Sequence, residues 1–185
     1  MRRLRRNPSL QKQWRKTLDS WQTSTIFRHM ETSKGYYEGF ITGLEGNQVF
    51  VFGSNKKIGL HGLGTAKIAR EKYGAINGVG EGPTGRCYAL PTVGELRAPR
   101  PSRTLPEIEE SVENLYGYAT ENPHLEFLIA YTADNNNLCG YSSNEMAACF
   151  VAFRSLSEVP DNIVFNKGFL VLVEEEDAKT LINAV

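Results

Sequence analysis

The sequence is poor in the residues that build covalently or metal-held folds. Its 185 residues include three cysteines, Cys87, Cys139 and Cys149, an odd number with no CxxC spacing. That pattern signals neither a disulfide framework nor a zinc knuckle, and a reduced, cytoplasmic setting is expected. The three histidines, His29, His61 and His124, lie far apart, so no His-rich metal site is signalled. No cofactor and no metal are expected. Long apolar runs are missing too: nothing approaches the roughly 20 residues that a membrane span needs. The basic start is followed by no apolar stretch, so no secretory leader is expected. Nor does charge of one sign dominate, because 21 basic side chains balance 21 acidic ones.

That balance is a cancellation. Residues 1–18 carry seven basic groups and no acid, leaving 14 basic against 21 acidic side chains, a net of −7, in the remainder. A basic N-terminal extension over residues 1–34, helical or disordered, is expected to precede a domain over residues 35–185. In the extension Leu10, Trp14, Leu18 and Trp21 fall on one helical stripe. It reads as an arm for nucleic acid, a membrane surface or a protein partner, as a solvated segment docking two Trp, or as a stretch ahead of a start at Met30. An acidic domain argues against broad nucleic-acid binding through the domain itself. Any phosphate must then be held by backbone N–H groups rather than a basic patch.

From Tyr36 onward, strand-like and helix-like segments alternate. YYEGFIT (36–42) and QVFVFG (48–53) read as strands. Residues 62–73 have helical spacing, ended by Gly74. CYALPT (87–92) is a short strand cut off by Pro91. Thr104 and Glu107 form a capping box for a helix over 105–122. LEFLIAYT (125–132) is a central strand buried on both faces. Ser142 or Ser143 caps a helix running to about Arg154, with Met146, Phe150 and Phe153 inward. NIVF (162–165) is a further strand, FLVLV (169–173) another, and EEEDAKTLINAV the last helix. This alternation argues for an α/β fold with a mixed, largely parallel sheet.

The densest chemical signal lies between residues 49 and 92. A buried strand ends at Gly53, Ser54 and Asn55, and a loop with Gly59, His61, Gly62 and Gly64 runs directly into a helix. Strand, glycine loop and helix N-terminus together make an anion site, because unpaired N–H groups converge there and the helix dipole adds partial positive charge. GLHGLG lacks the spacing of a dinucleotide fingerprint, and no P-loop follows. A second glycine cluster, with Gly80 and Gly82, either folds over the same ligand with Arg86 near phosphate or forms tight turns. A third loop, TADNNNLCGYS (132–142), follows the central strand. There Asn135 and Asn136 either bind ribose or adenine or serve turns. The three loops are expected to converge on one crevice.

The runs FGSN, HGxGxAxxA, YGA, GEG and CYALPT, followed by LEFLIAYTADNNNLCGYSSNEMAACF, resemble a family of small bacterial and phage proteins that are macro-domain-like. The resemblance covers about residues 36–166. At Ala133–Asn137 the chain departs from the Gly-Cys-Gly-type turn of many relatives. The resemblance implies a three-layer α/β/α macro-domain-like fold that binds ADP-ribose or a related NAD-derived nucleotide. It places Asn55 at the distal ribose and Gly59, Gly62 and Gly64 around the diphosphate. If turnover occurs, it would be hydrolysis of an ADP-ribosyl bond or of an ADP-ribose phosphate. His61 is then the candidate general acid/base, Asn55 orients ribose or water, and Asp134 is the second candidate base. The alternatives are a non-catalytic module that sequesters a nucleotide and an adaptor for protein or nucleic acid.

Overall fold

The structure, a computed structural model, describes residues 34–95 and 97–183. The stripe of Leu10, Trp14, Leu18 and Trp21 lies outside the described residues. Strand β2 (Gln48–Asn55) is the axis of the fold, and its side chains alternate between two cores as a strand must. Val49 and Val51 join the larger core, whereas Phe50 and Phe52 join the smaller one. On one side β2 pairs with β4 (Cys87–Val93), and on the other with β5 (Glu126–Ile129), both in parallel. Beyond β5 come β6 (Ile163–Asn166) and the two-residue β1 (Tyr36–Tyr37), also parallel. Beyond β4 lies β3 (Gly82–Thr84), the one antiparallel strand among the described residues. The order is β1-β6-β5-β2-β4-β3.

Helices cover both faces, giving the expected three-layer α/β/α arrangement. Helix α1 (Gly64–Tyr73) sets Ala66, Ala69 and Tyr73 against Phe50 and Phe52. On the opposite face lie α2 (Leu105–Glu121), α3 (Ser143–Cys149) and α4 (Lys167–Asn183). The start of α2 follows its capping signal, with the Thr104 N–H donating to the Glu107 carboxylate at 2.7 Å. Gly74 closes α1 in the left-handed conformation, φ 79°.

Four expectations are corrected. Of YYEGFIT, only Tyr36 and Tyr37 are strand, because β6 ends opposite Tyr37 at Asn166; Phe40 stands 79 % exposed. Pro91 does not end β4. Strand β3 accompanies β4 only as far as Ala89, so beyond that point one edge of β4 is free and the missing Pro91 N–H costs little. Helix α3 stops at Cys149, and Phe153 points outward instead of into the core. FLVLV is not a strand. It is the first part of α4, burying Phe169, Leu170 and Val173 while Val171 faces out.

Candidate functional site

The connections at the carboxyl ends of the strands define where a ligand fits. From β2 the chain passes to α1 on one face; from β4 and β5 it passes to α2 and α3 on the other. The carboxyl end of β2 is therefore a topological switch point, the place in such a sheet where ligands bind.

The glycine loop is built from Asn55 outward. The Asn55 Oδ1 accepts the Ile58 N–H at 2.9 Å, and the Asn55 carbonyl accepts the Gly59 N–H at 3.0 Å. Gly59, at φ 58°, lets the loop press onto the segment around Gly78, whose N–H donates to the Gly59 carbonyl. Gly80 is locked in the same way: a Cβ there would lie 2.4 Å from the Lys56 carbonyl oxygen. Ser54 Oγ donates to the Gly80 carbonyl beneath. The loops containing Gly59 and Gly80 are thus brought together. Leu138, from the third loop, closes over Gly64.

His61 is fully buried. Its ring stands edge-on to Phe52, 4.9 Å between centroids, and Nε2 lies 3.1 Å from the Ile76 carbonyl oxygen. A carbonyl only accepts, so the proton sits on Nε2 and Nδ1 is a bare acceptor. Burial holds the His61 pKa below its ordinary value, against the hydrogen bonds to backbone that favour the charged ring. Asn77, which the sequence reading passed over, completes the brace by accepting the His61 N–H at 3.1 Å. Two enclosed polar atoms of this loop have no partner among the described residues: Asn55 Nδ2, a donor, and His61 Nδ1, an acceptor. Asn55 is only 4 % exposed.

The start of α1 is bare. Leu63 occupies the N-cap position, no side chain caps the helix, and no acid stands in its first turn. A Cβ on Gly62 would meet nothing within 4 Å. The apolar side chains of Ile58, Leu60 and Leu63 in this loop are exposed, as are those of Ile76 and Leu138 in the segments packed against it.

The remaining expected residues take other positions. Gly53 makes room for Tyr131, whose hydroxyl would sit 2.7 Å from an added Cβ. Gly82 is paired with Ala89 in the hairpin, at φ 94°. Arg86 is corrected: it precedes β4, at the amino end of the sheet, and donates to the Glu45 and Gly46 carbonyls, far along the strand from Asn55. Asn135, at φ 59°, exchanges hydrogen bonds with Ser143, its Oδ1 accepting the Ser143 N–H at 2.7 Å. Asn136 is exposed and donates its N–H to Asp134. Asp134 is exposed as well. The Thr132 hydroxyl, at 2.8 Å, and the Asn136 N–H hold its carboxyl below the usual carboxylate range.

On the β4 side lies a cleft of about 380 Å³ between Lys56, Gly94 and the first turns of α2. Arg103 forms part of its wall and is 9 % exposed. Set against protein-family models, curated proteins and solved structures, the chain matches none of them, and the functional reading rests on this geometry.

Proposed function

We propose that the surface of the glycine loop, from Gly62 to the start of α1 beside Leu138, binds a nucleotide of the ADP-ribose type, with its diphosphate on the bare N–H groups of that helix. The observation that carries this reading is the Asn55 amide. A buried donor without an acceptor costs about 1–3 kcal/mol, and because Asn55 Nδ2 is enclosed, a ligand hydroxyl removes that cost once the loop shifts to admit it. The uncapped N-terminus of α1 and the open space above Gly62 supply the neighbouring anion position. The exposed apolar side chains of the loop and the segments packed against it suit the face of a base.

Binding takes precedence over turnover in this reading. The His61 ring is enclosed and neutral, a brace for the loop rather than a group in contact with substrate. Asp134 is the exposed carboxylate of the third loop, ionised at neutral pH, and any water activation falls to it.

ADP-ribose at a hundred times its dissociation constant is expected to stabilise the protein by about 2.7 kcal/mol, read as a rise in Tm. Gly62→Val fills empty space, so it is expected to leave the unliganded Tm nearly unchanged and to abolish the rise. If millimolar ADP-ribose, NAD and related nucleotides all leave the wild-type Tm unmoved, the reading fails.

A further inference from the structure

The cleft on the β4 side has chemistry of its own. Arg103 Nη1 donates to the Pro91 carbonyl at 2.7 Å and to Ser111 Oγ at 3.2 Å, and Nη2 donates to the Glu107 carbonyl at 2.6 Å. These contacts leave the Nε–H and one Nη2–H without a partner among the described residues. Nε is not enclosed, and Arg103 lines the cleft. No carboxylate among the described residues lies within ion-pair distance of this guanidinium.

An almost fully buried cation with neutral partners is an expensive arrangement unless an anion completes it. Here it also stands just ahead of Thr104, at the positive end of the α2 dipole. Burial lowers the Arg103 pKa, and the charges of Glu107 and Glu110 act against that.

The other charges around the cleft are mostly spent. Lys56 pairs with Glu81, and Lys57 with Glu95. The Glu107 carboxylate accepts from the Thr104 N–H and hydroxyl. Glu110 alone has an exposed carboxylate with no hydrogen bond or ion pair among the described residues. The cleft therefore offers one uncommitted cation in its wall and one uncommitted anion at its surface.

We propose that this cleft binds a small zwitterion, its carboxylate on the free N–H edge of Arg103 and its ammonium toward Glu110. A carboxylate matches two N–H donors of a guanidinium, and such charge-assisted bonds are the stronger kind. Glu110 sets the preference, because a ligand with only negative charge meets repulsion there while an ammonium meets attraction. The volume is in the range that holds a small molecule.

The test is a titration of the full chain followed by the Arg103 Nε–H resonance, at constant ionic strength. The probes are glycine, β-alanine and γ-aminobutyrate, each against its partner lacking the amine: acetate, propionate and butyrate. At least one amino acid is expected to shift the Arg103 signal to saturation, at about threefold lower concentration than its partner carboxylate. Glu110→Gln changes an exposed side chain and leaves folding intact; it is expected to erase that preference. The proposal is overturned if no probe moves the Arg103 signal. It is equally overturned if both members of every pair titrate alike, if the carboxylates bind better, or if Glu110→Gln changes nothing. The backbone amides of Gly62–Ala66 report the nucleotide site in the same spectra, so either site can fail without the other.

Discussion

At the scale of single residues, His61 shows how burial turns a titratable group into a structural one. With its ring enclosed against Phe52, burial favours the neutral form and outweighs the Nε2–H bond to the Ile76 carbonyl, which favours the charged one. Its folded pKa is below the ordinary value of 6.5, so the unfolded chain binds a proton first as pH falls. The stabilisation is complete above 6.5 and is lost as pH drops through the folded value. His61→Gln keeps a donor and removes the titration. The variant is expected to be less stable at neutral pH by about 1–3 kcal/mol, and the gap to wild type should narrow as pH falls below 6.5. Urea melts of both proteins across that range measure the gap. A gap that widens toward acid would mean the ring is charged in the fold.

At the scale of elements, the β3–β4 hairpin is held to the glycine loop by close backbone approach. Gly80→Ala drives a methyl group into the Lys56 and Asn55 carbonyls and is expected to cost about 2 kcal/mol or more. Gly82→Ala meets no atom within 4 Å and is left with left-handed strain alone, about 1–2 kcal/mol. Denaturant midpoints of the two variants rank them; equal losses would show that the close approach contributes nothing. Much at this scale was legible in the sequence. Alternating Val and Phe marked β2, and a capping box marked the start of α2. Where reading failed, a non-local partner decided. A five-residue apolar run such as FLVLV has no period of its own, and only packing on the larger core makes it helix. The Glu38–Thr42 stretch has strand-forming residues but no strand beside it. The glycine loop was legible because its turn chemistry is local. The Arg103 cleft was not, since Arg103 and Lys56 meet only once β2 and α2 are placed.

At the scale of the whole molecule, the three thiols report on the integrity of both cores. Cys87 belongs to the smaller core, and Cys139 and Cys149 to the larger one. All three are buried and free. Burial pushes the Cys87 and Cys149 thiols up to about 12 and raises Cys139 as well. Alkylation by iodoacetamide at mildly alkaline pH is expected to be negligible in the native protein and complete in guanidinium chloride. Mass spectrometry counts the modified sites. Rapid labelling of Cys87 alone under native conditions would reveal separate opening of the smaller core.

The two faces of the sheet are unequally covered, and this has a dynamic consequence. Three helices lie over the larger core, while α1 rests on the smaller one through Ala66, Ala69 and Tyr73. Two of those three anchors are single methyl groups, so little apolar area holds α1 down. Sub-global opening is cheapest where the least area is re-exposed, so among the described helices α1 is expected to lift first. The layer with the bare N–H groups is thus expected to open most easily among the described residues. A phosphate gripped there would act as a latch, converting the loosest layer of the fold into one that opens only with the rest.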